Sequence, residues 1–178
     1  MRVMAIDPGT TKSAFAVIDF ETKEILNSGI VDNKCFTDQM NATYLAPESQ
    51  GKMIVCIEMI ASYGMAVSAT VFETCVWIGR FIQHAETHFG TGTCSRMYRR
   101  DVKLNLCGQT KAKDANVRCA IIDRYEPIGG GKNPQVGTKK QPGPLFGVSK
   151  DIWAAIGVGL TYIDASEGKC ELTPIKYA

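Results

Sequence analysis

Apolar positions divide this chain into short runs of two different periods. Residues 2–7 and 13–20 have strand length, the second with Ala14, Ala16 and Ile18 on one side and Phe15, Val17 and Asp19 on the other. Pro8-Gly9-Thr10-Thr11 between them is turn chemistry, Glu21-Thr22-Lys23-Glu24 is a second polar turn, and residues 25–31 return as a third strand. This is the pattern of a β-meander. Residues 32–52 are polar and mixed, and predict a loop with a short helix.

From residue 53 the pattern changes. Residues 53–60 are almost continuously apolar and β-branched, as in a strand buried on both faces. Val67, Val71, Cys75, Ile78, Ile82 and Ala85 recur at helical spacing within 66–89. A short strand at 91–97 and helices at 101–106 and 113–125 follow. About half of residues 127–147 are Gly or Pro, with Lys132, Lys139 and Lys140 among them, which predicts a mobile basic loop. Residues 149–163 form a last helix, with Ser149 or Asp151 placed to cap it. Its small residues Ala154, Ala155, Gly157 and Gly159 would let it approach a sheet closely. A meander, then strand–helix alternation, then a terminal helix predict one α/β domain: a mixed sheet flanked by helices, spanning 1–178.

Composition refines this little. At 178 residues with 45% hydrophobic and 21% charged positions, the chain is an ordinary globule. No apolar run approaches the roughly 18 residues that span a bilayer, and the N-terminus lacks signal-peptide features, so no membrane partner is expected and an intracellular protein is. The seven cysteines show no C-x-x-C spacing and read as reduced, structural residues rather than a zinc or redox site. The net charge of +2 is undiagnostic, but between Arg96 and Arg118 seven basic residues face two acidic ones. That is either a solvated helical face or the footprint of a phosphate backbone.

Three carboxylates break the binary pattern. Asp7 ends an apolar strand, Glu58 sits within the 53–60 run on the face of Ile54, Cys56 and Ile60, and Asp151 opens an apolar helix. Asp7 also suits a turn and Asp151 a helix cap. Glu58 resists such an account, because an unpaired carboxylate in a core strand costs several kcal/mol or takes up a proton. Neither nearby strand offers a Lys or Arg on its face, so a divalent metal is the economical partner; Mg²⁺ is held by one or two carboxylates and several waters.

A strand ending in Asp7-Pro8-Gly9-Thr10-Thr11, a Glu58 in a later strand and an Asp151 at the last helix resemble the RuvC family of Holliday-junction resolvases. Val102-Lys103 through Gly108, then Lys111-Ala112-Lys113-Asp114 through Val117, is similar to that family's helix-turn-helix segment. The resemblance spans most of 1–125 and 148–163. It implies an RNase H-like fold, a homodimer, and Mg²⁺- or Mn²⁺-dependent hydrolysis of DNA strands at four-way or other branched junctions, with two ions per site. Asp7, Glu58 and Asp151 match the family's metal ligands and catalytic residues, Asp7 bridging both ions. Lys103, Lys111 and Lys113, with Arg99 and Arg100, are then candidates for phosphate contacts, and Tyr63 and Met65 for contacts with unstacked bases. Val148 departs from the pattern, standing where an acidic residue or His is common. Some bacteriophage resolvases diverge similarly, which implies a bacterial cell or a phage-infected host.

Other motifs lead elsewhere. His84 and His88 have metal-ligand spacing, but Ala85 stands where a zinc-protease helix needs Glu. Gly129-Gly130-Gly131-Lys132 is followed by Asn133 and preceded by no strand, so it is no phosphate loop and no nucleotide cofactor is expected. Asp-x-Gly-Thr-Thr also opens actin-like kinases, which need two such domains. A non-catalytic branched-DNA binding module and a general RNase H-like nuclease remain as alternatives.

Overall fold

The structure is a computed structural model that describes residues 1–45, 52–62, 64 and 66–173. The meander forms as expected: β1 (Arg2–Asp7), β2 (Lys12–Asp19) and β3 (Ile25–Asp32) pair antiparallel in sequence order. β4 (Met53–Met59) lies parallel to β1 on its other side, and β5 (Cys94–Tyr98) lies parallel to β4. The sheet order is β3-β2-β1-β4-β5, so β1 and β4 are interior strands, which explains the continuous apolar run of β4.

Side chains alternate across this sheet and build two cores. Val3, Ala5, Cys56 and Met97 face α5 (Ile152–Ser166), which is backed by α3 (Arg99–Cys107) and α4 (Asp114–Ile122). Met4, Ile6, Val55 and Ile57 face the other way, towards α1 (Asn33–Leu45) and α2 (Ala69–Phe89). Among the described residues no helix is long and apolar enough to cross a membrane.

Three expectations need correction. The segment after β3 is a 13-residue helix, not a loop with a short helix. Its apolar stripe, Phe36 and Met40, is too sparse to give a strong periodic signal, and its stability comes from burying those two side chains completely. The 127–147 segment is a compact knot rather than a mobile loop: the Gly130 amide donates to the Gln141 carbonyl at 2.9 Å, Gly143 to Val136 at 3.1 Å and Leu145 to Gln135 at 2.8 Å. Glycine makes this possible, since a Cβ on Gly143 would stand 2.2 Å from the Pro134 carbonyl oxygen, and the fully buried Leu145 anchors the segment. Finally, the last helix begins at Ile152, and the Asp151 side chain makes no capping hydrogen bond.

Of the small residues in α5, Gly159 meets the sheet and Gly157 meets the helices behind it. A Cβ on Gly159 would lie 2.6 Å from Ile18 Cδ1 and 3.1 Å from Ala5 Cβ, whereas one on Gly157 would meet Val102 at 3.1 Å. Gly159→Val is therefore expected to destabilise the fold by about 1–3 kcal/mol through overpacking, despite valine's better helix propensity. Urea denaturation checks this, and an unchanged midpoint would show that α5 can lift off the sheet at little cost.

Candidate active site

Register and alternation bring two of the three carboxylates together. β1 and β4 run parallel with Ala5 beside Cys56 and Ile6 beside Ile57, so one further step sets Asp7 beside Glu58. Both lie on the α5 side of the sheet, at the C-terminal ends of adjacent strands, and line one cavity of about 270 Å³ with Pro8, Met59, Ile60, Ala61 and Arg99. The turn that follows Asp7 is braced. The Gly9 amide donates to Ser13 Oγ at 3.2 Å, Ser13 Oγ donates to Asn33 Oδ1 at 2.7 Å, and Asn33 Nδ2 returns to the Gly9 carbonyl at 2.8 Å. Ser13 and Asn33 are buried, so this network fixes the strand end that carries Asp7.

The electrostatics reflect the crowding. Burial, then the Glu58 charge, lift the Asp7 carboxyl from its ordinary 3.8 to about 7, with Asp151 and Asp114 adding to the rise and Arg99 opposing it. Glu58 is also raised, because burial outweighs the counter-charge of Arg99.

Arg99, a candidate for phosphate contacts, also reaches the carboxylates. From the first turn of α3, its Nη1 donates to Glu58 Oε2 at 3.2 Å and its Nη2 to Asp114 Oδ1 at 2.8 Å. Glu58 therefore has a basic partner, contrary to expectation. The partner comes from a helix start just past β5 rather than from a strand. A signal existed: Glu58 pairs with Met97 in the parallel register, and Arg99 follows Met97 by two, on the same side of the sheet. Asp114, which in the sequence stands out only as part of the helix-turn-helix segment, is the other end of this bridge, and the bond from Arg99 lowers its pKa.

The third expected ligand stands apart. Asp151 is exposed and does not line the cavity, although Asp7 feels its charge. Among the described residues no three Asp, Glu, His or Cys side chains converge on a position that would hold a metal ion. Asp7 and Glu58 therefore share a cavity that Asp151 does not line, and Arg99 bonds to Glu58 there. Asp7 and Glu58 by themselves fit one hard divalent cation: both offer oxygen, they repel each other, and their cavity has room for waters. Val148 is buried in the core beside α5 and contributes no donor.

A basic groove adjoins the carboxylates. Arg99, Arg100, Lys103, Thr110 and Lys111 line a depression of about 600 Å³ that meets the carboxylate cavity at Arg99. Lys113 lies outside that lining, exposed at the start of α4. Tyr63 and Met65 lie outside the described residues. Another cavity, of about 480 Å³, opens near the far end of α5, but its charges are matched within the fold: Arg124 with Asp164, and both Lys23 and Lys169 with Glu167. His84 and His88 stack with ring centroids 4.1 Å apart, and His84 pairs with Asn41 of α1, so they serve the α1–α2 contact.

A five-stranded mixed sheet in this order, covered on both faces, is the RNase H-like fold. Comparison with solved structures places it more closely: Thermus thermophilus RuvC superposes with a TM-score of 0.63 at 19% identity, covering 97% of this chain and all of that one. The T. thermophilus RuvC complex with a Holliday junction substrate gives 0.58 at 16% identity, covering 97% and 99%. The chain thus has a RuvC-like fold over nearly its whole length. No family model and no curated protein matches the sequence.

Proposed function

We propose that this protein is a divalent-cation-dependent DNA endonuclease that nicks four-way and other branched junctions, two copies acting on each junction. The observation that carries the reading is the pairing of Asp7 and Glu58 in one cavity that meets the Arg100, Lys103 and Lys111 groove at Arg99. It is supported by a fold whose solved neighbours include a resolvase bound to a junction.

Asp7 and Glu58 would hold the cation, Mg²⁺ or Mn²⁺. When bound, it supplies Lewis acidity at a phosphate oxygen and a water acidic enough to attack at neutral pH. The chain's own residues do the rest. The braced turn after β1 holds Asp7 in place, and Met59, Ile60 and Ala61 limit water on one side of the cleft. Arg100, Lys103 and Lys111 set the phosphate backbone against the carboxylates. Asp151 adds negative charge near the cleft and favours cation entry. Two-fold symmetric cutting of a junction calls for a homodimer.

An end-labelled four-way junction, incubated with Mg²⁺ or Mn²⁺ and run on a denaturing gel, tests the proposal. Nicks near the branch point are expected, with none in EDTA and few on linear duplex. Binding without nicking in either metal would favour a non-catalytic junction-binding module. The Arg99–Glu58 pair and the apolar Val148 are the features that speak for that second reading. Preferential cutting of an RNA–DNA hybrid would instead indicate a general RNase H-like nuclease.

A further inference from the structure

A site built only to hold a cation would not place a guanidinium on one of its carboxylates. Here Arg99 spans Glu58 and Asp114, and it is also the side chain shared by the carboxylate cavity and the basic groove. Arginine keeps its charge at any working pH, so it leaves Glu58 only by exchange for another anion. Its planar fork suits a phosphate as well as a carboxylate. Arg100 and Lys103 line the groove too, but their ion pairs are made with Asp101 and Asp114, each at 3.9 Å, and not with Glu58.

We propose that Arg99 is a substrate-released latch: in the DNA-free protein it occupies Glu58, and a phosphate in the groove draws it away and frees that carboxylate for the divalent cation. The inference rests on the nuclease reading above. The exchange breaks one hydrogen bond, from Nη1 to Glu58, and forms one to a phosphate oxygen, while Nη2 can stay on the exposed Asp114. Cation loading and DNA binding are then coupled through one side chain, which limits cation binding when no substrate is present.

A half-buried pair of this kind is worth about 1 kcal/mol, so the unlatched state is about one molecule in six and the apparent cation affinity is reduced about sixfold. The test is Mn²⁺ binding to intact, DNA-free protein, followed by electron paramagnetic resonance. Arg99→Gln is expected to bind Mn²⁺ about sixfold more tightly than wild type. Arg99→Lys, which keeps the charge but cannot span both carboxylates, falls between them, and it carries the test if the Gln variant does not fold. Arg100→Gln removes the same charge next door and should change affinity less than about twofold. Sulfate, a tetrahedral dianion offered in place of a phosphodiester, should tighten Mn²⁺ binding to wild type beyond a chloride control of equal ionic strength, and leave Arg99→Gln unaffected. Equal Mn²⁺ affinity in wild type and both Arg99 variants would overturn the latch without touching the nuclease reading. Mn²⁺ binding insensitive to both Asp7→Asn and Glu58→Gln would remove the cation site, and with it the latch. Junction nicking is scored separately on the gel.

Discussion

Asp7→Asn is expected to melt higher than the wild type in metal-free buffer at pH 8, while its nicking in Mg²⁺ falls by about 100- to 1,000-fold or more. The cause of both effects is one group. The native Asp7 carboxyl titrates at about 7 and an unfolded one at 3.8, so between these values the native state holds the extra proton. Stability therefore falls as pH rises through this window, and above about pH 7 the native state carries an ionised, crowded carboxylate. Asparagine removes that charge and keeps the shape. The gain should be about 1–2 kcal/mol, or about 3–6 °C in a chain of this size, because the cleft is open to solvent and screens part of the effect. Near pH 4 both proteins are neutral at this position and should melt together. Adding Mg²⁺ at pH 8 should stabilise wild type and leave the variant unmoved. Melting curves at the two pH values, with and without Mg²⁺, check this. A variant less stable than wild type at pH 8 would show that Asp7 is held by partners rather than strained by repulsion.

Replacing Arg100, Lys103 and Lys111 together by Gln should weaken junction binding about 10- to 100-fold near physiological salt. It should also flatten the dependence of log affinity on log salt by about 2.7, at about 0.9 for each phosphate no longer neutralised. The three residues share one groove, and Arg100 and Lys111 are exposed, so thermal stability should barely move. Binding titrations at several salt concentrations, in Ca²⁺ or EDTA, provide the measurement. A full salt slope in the triple variant would mean that the DNA backbone runs elsewhere. The compact knot that carries Lys132, Lys139 and Lys140 would be the next surface to test. Lys113, outside the groove, is expected to contribute less.

The residues behind these two effects differ in how plainly the sequence displays them. Asp7 and Glu58 stand out because each is a charge where the strand pattern demands an apolar residue, and such a violation needs a partner. The basic groove was visible as a charge excess, though not as a groove. Tyr63 and Met65 remain candidates from the sequence alone, since they lie outside the described residues.

By itself, then, the sequence determined the sheet strands, the long α2 and α5 helices and the two strand carboxylates, because local periodicity and its violations are written in adjacent residues. Tertiary structure decided what depends on partners distant along the chain. It showed that α1 is a full helix, because its two buried apolar side chains gain their stability only against α2 and the sheet. It condensed a Gly- and Pro-rich segment into a knot through hydrogen bonds that no local pattern announces. It left Asp151 outside the cavity that joins Asp7 and Glu58, and it brought Arg99 across 41 residues to hold Glu58. A charge pair depends on distance in space, and only the packing of β4, β5 and α3 sets that distance.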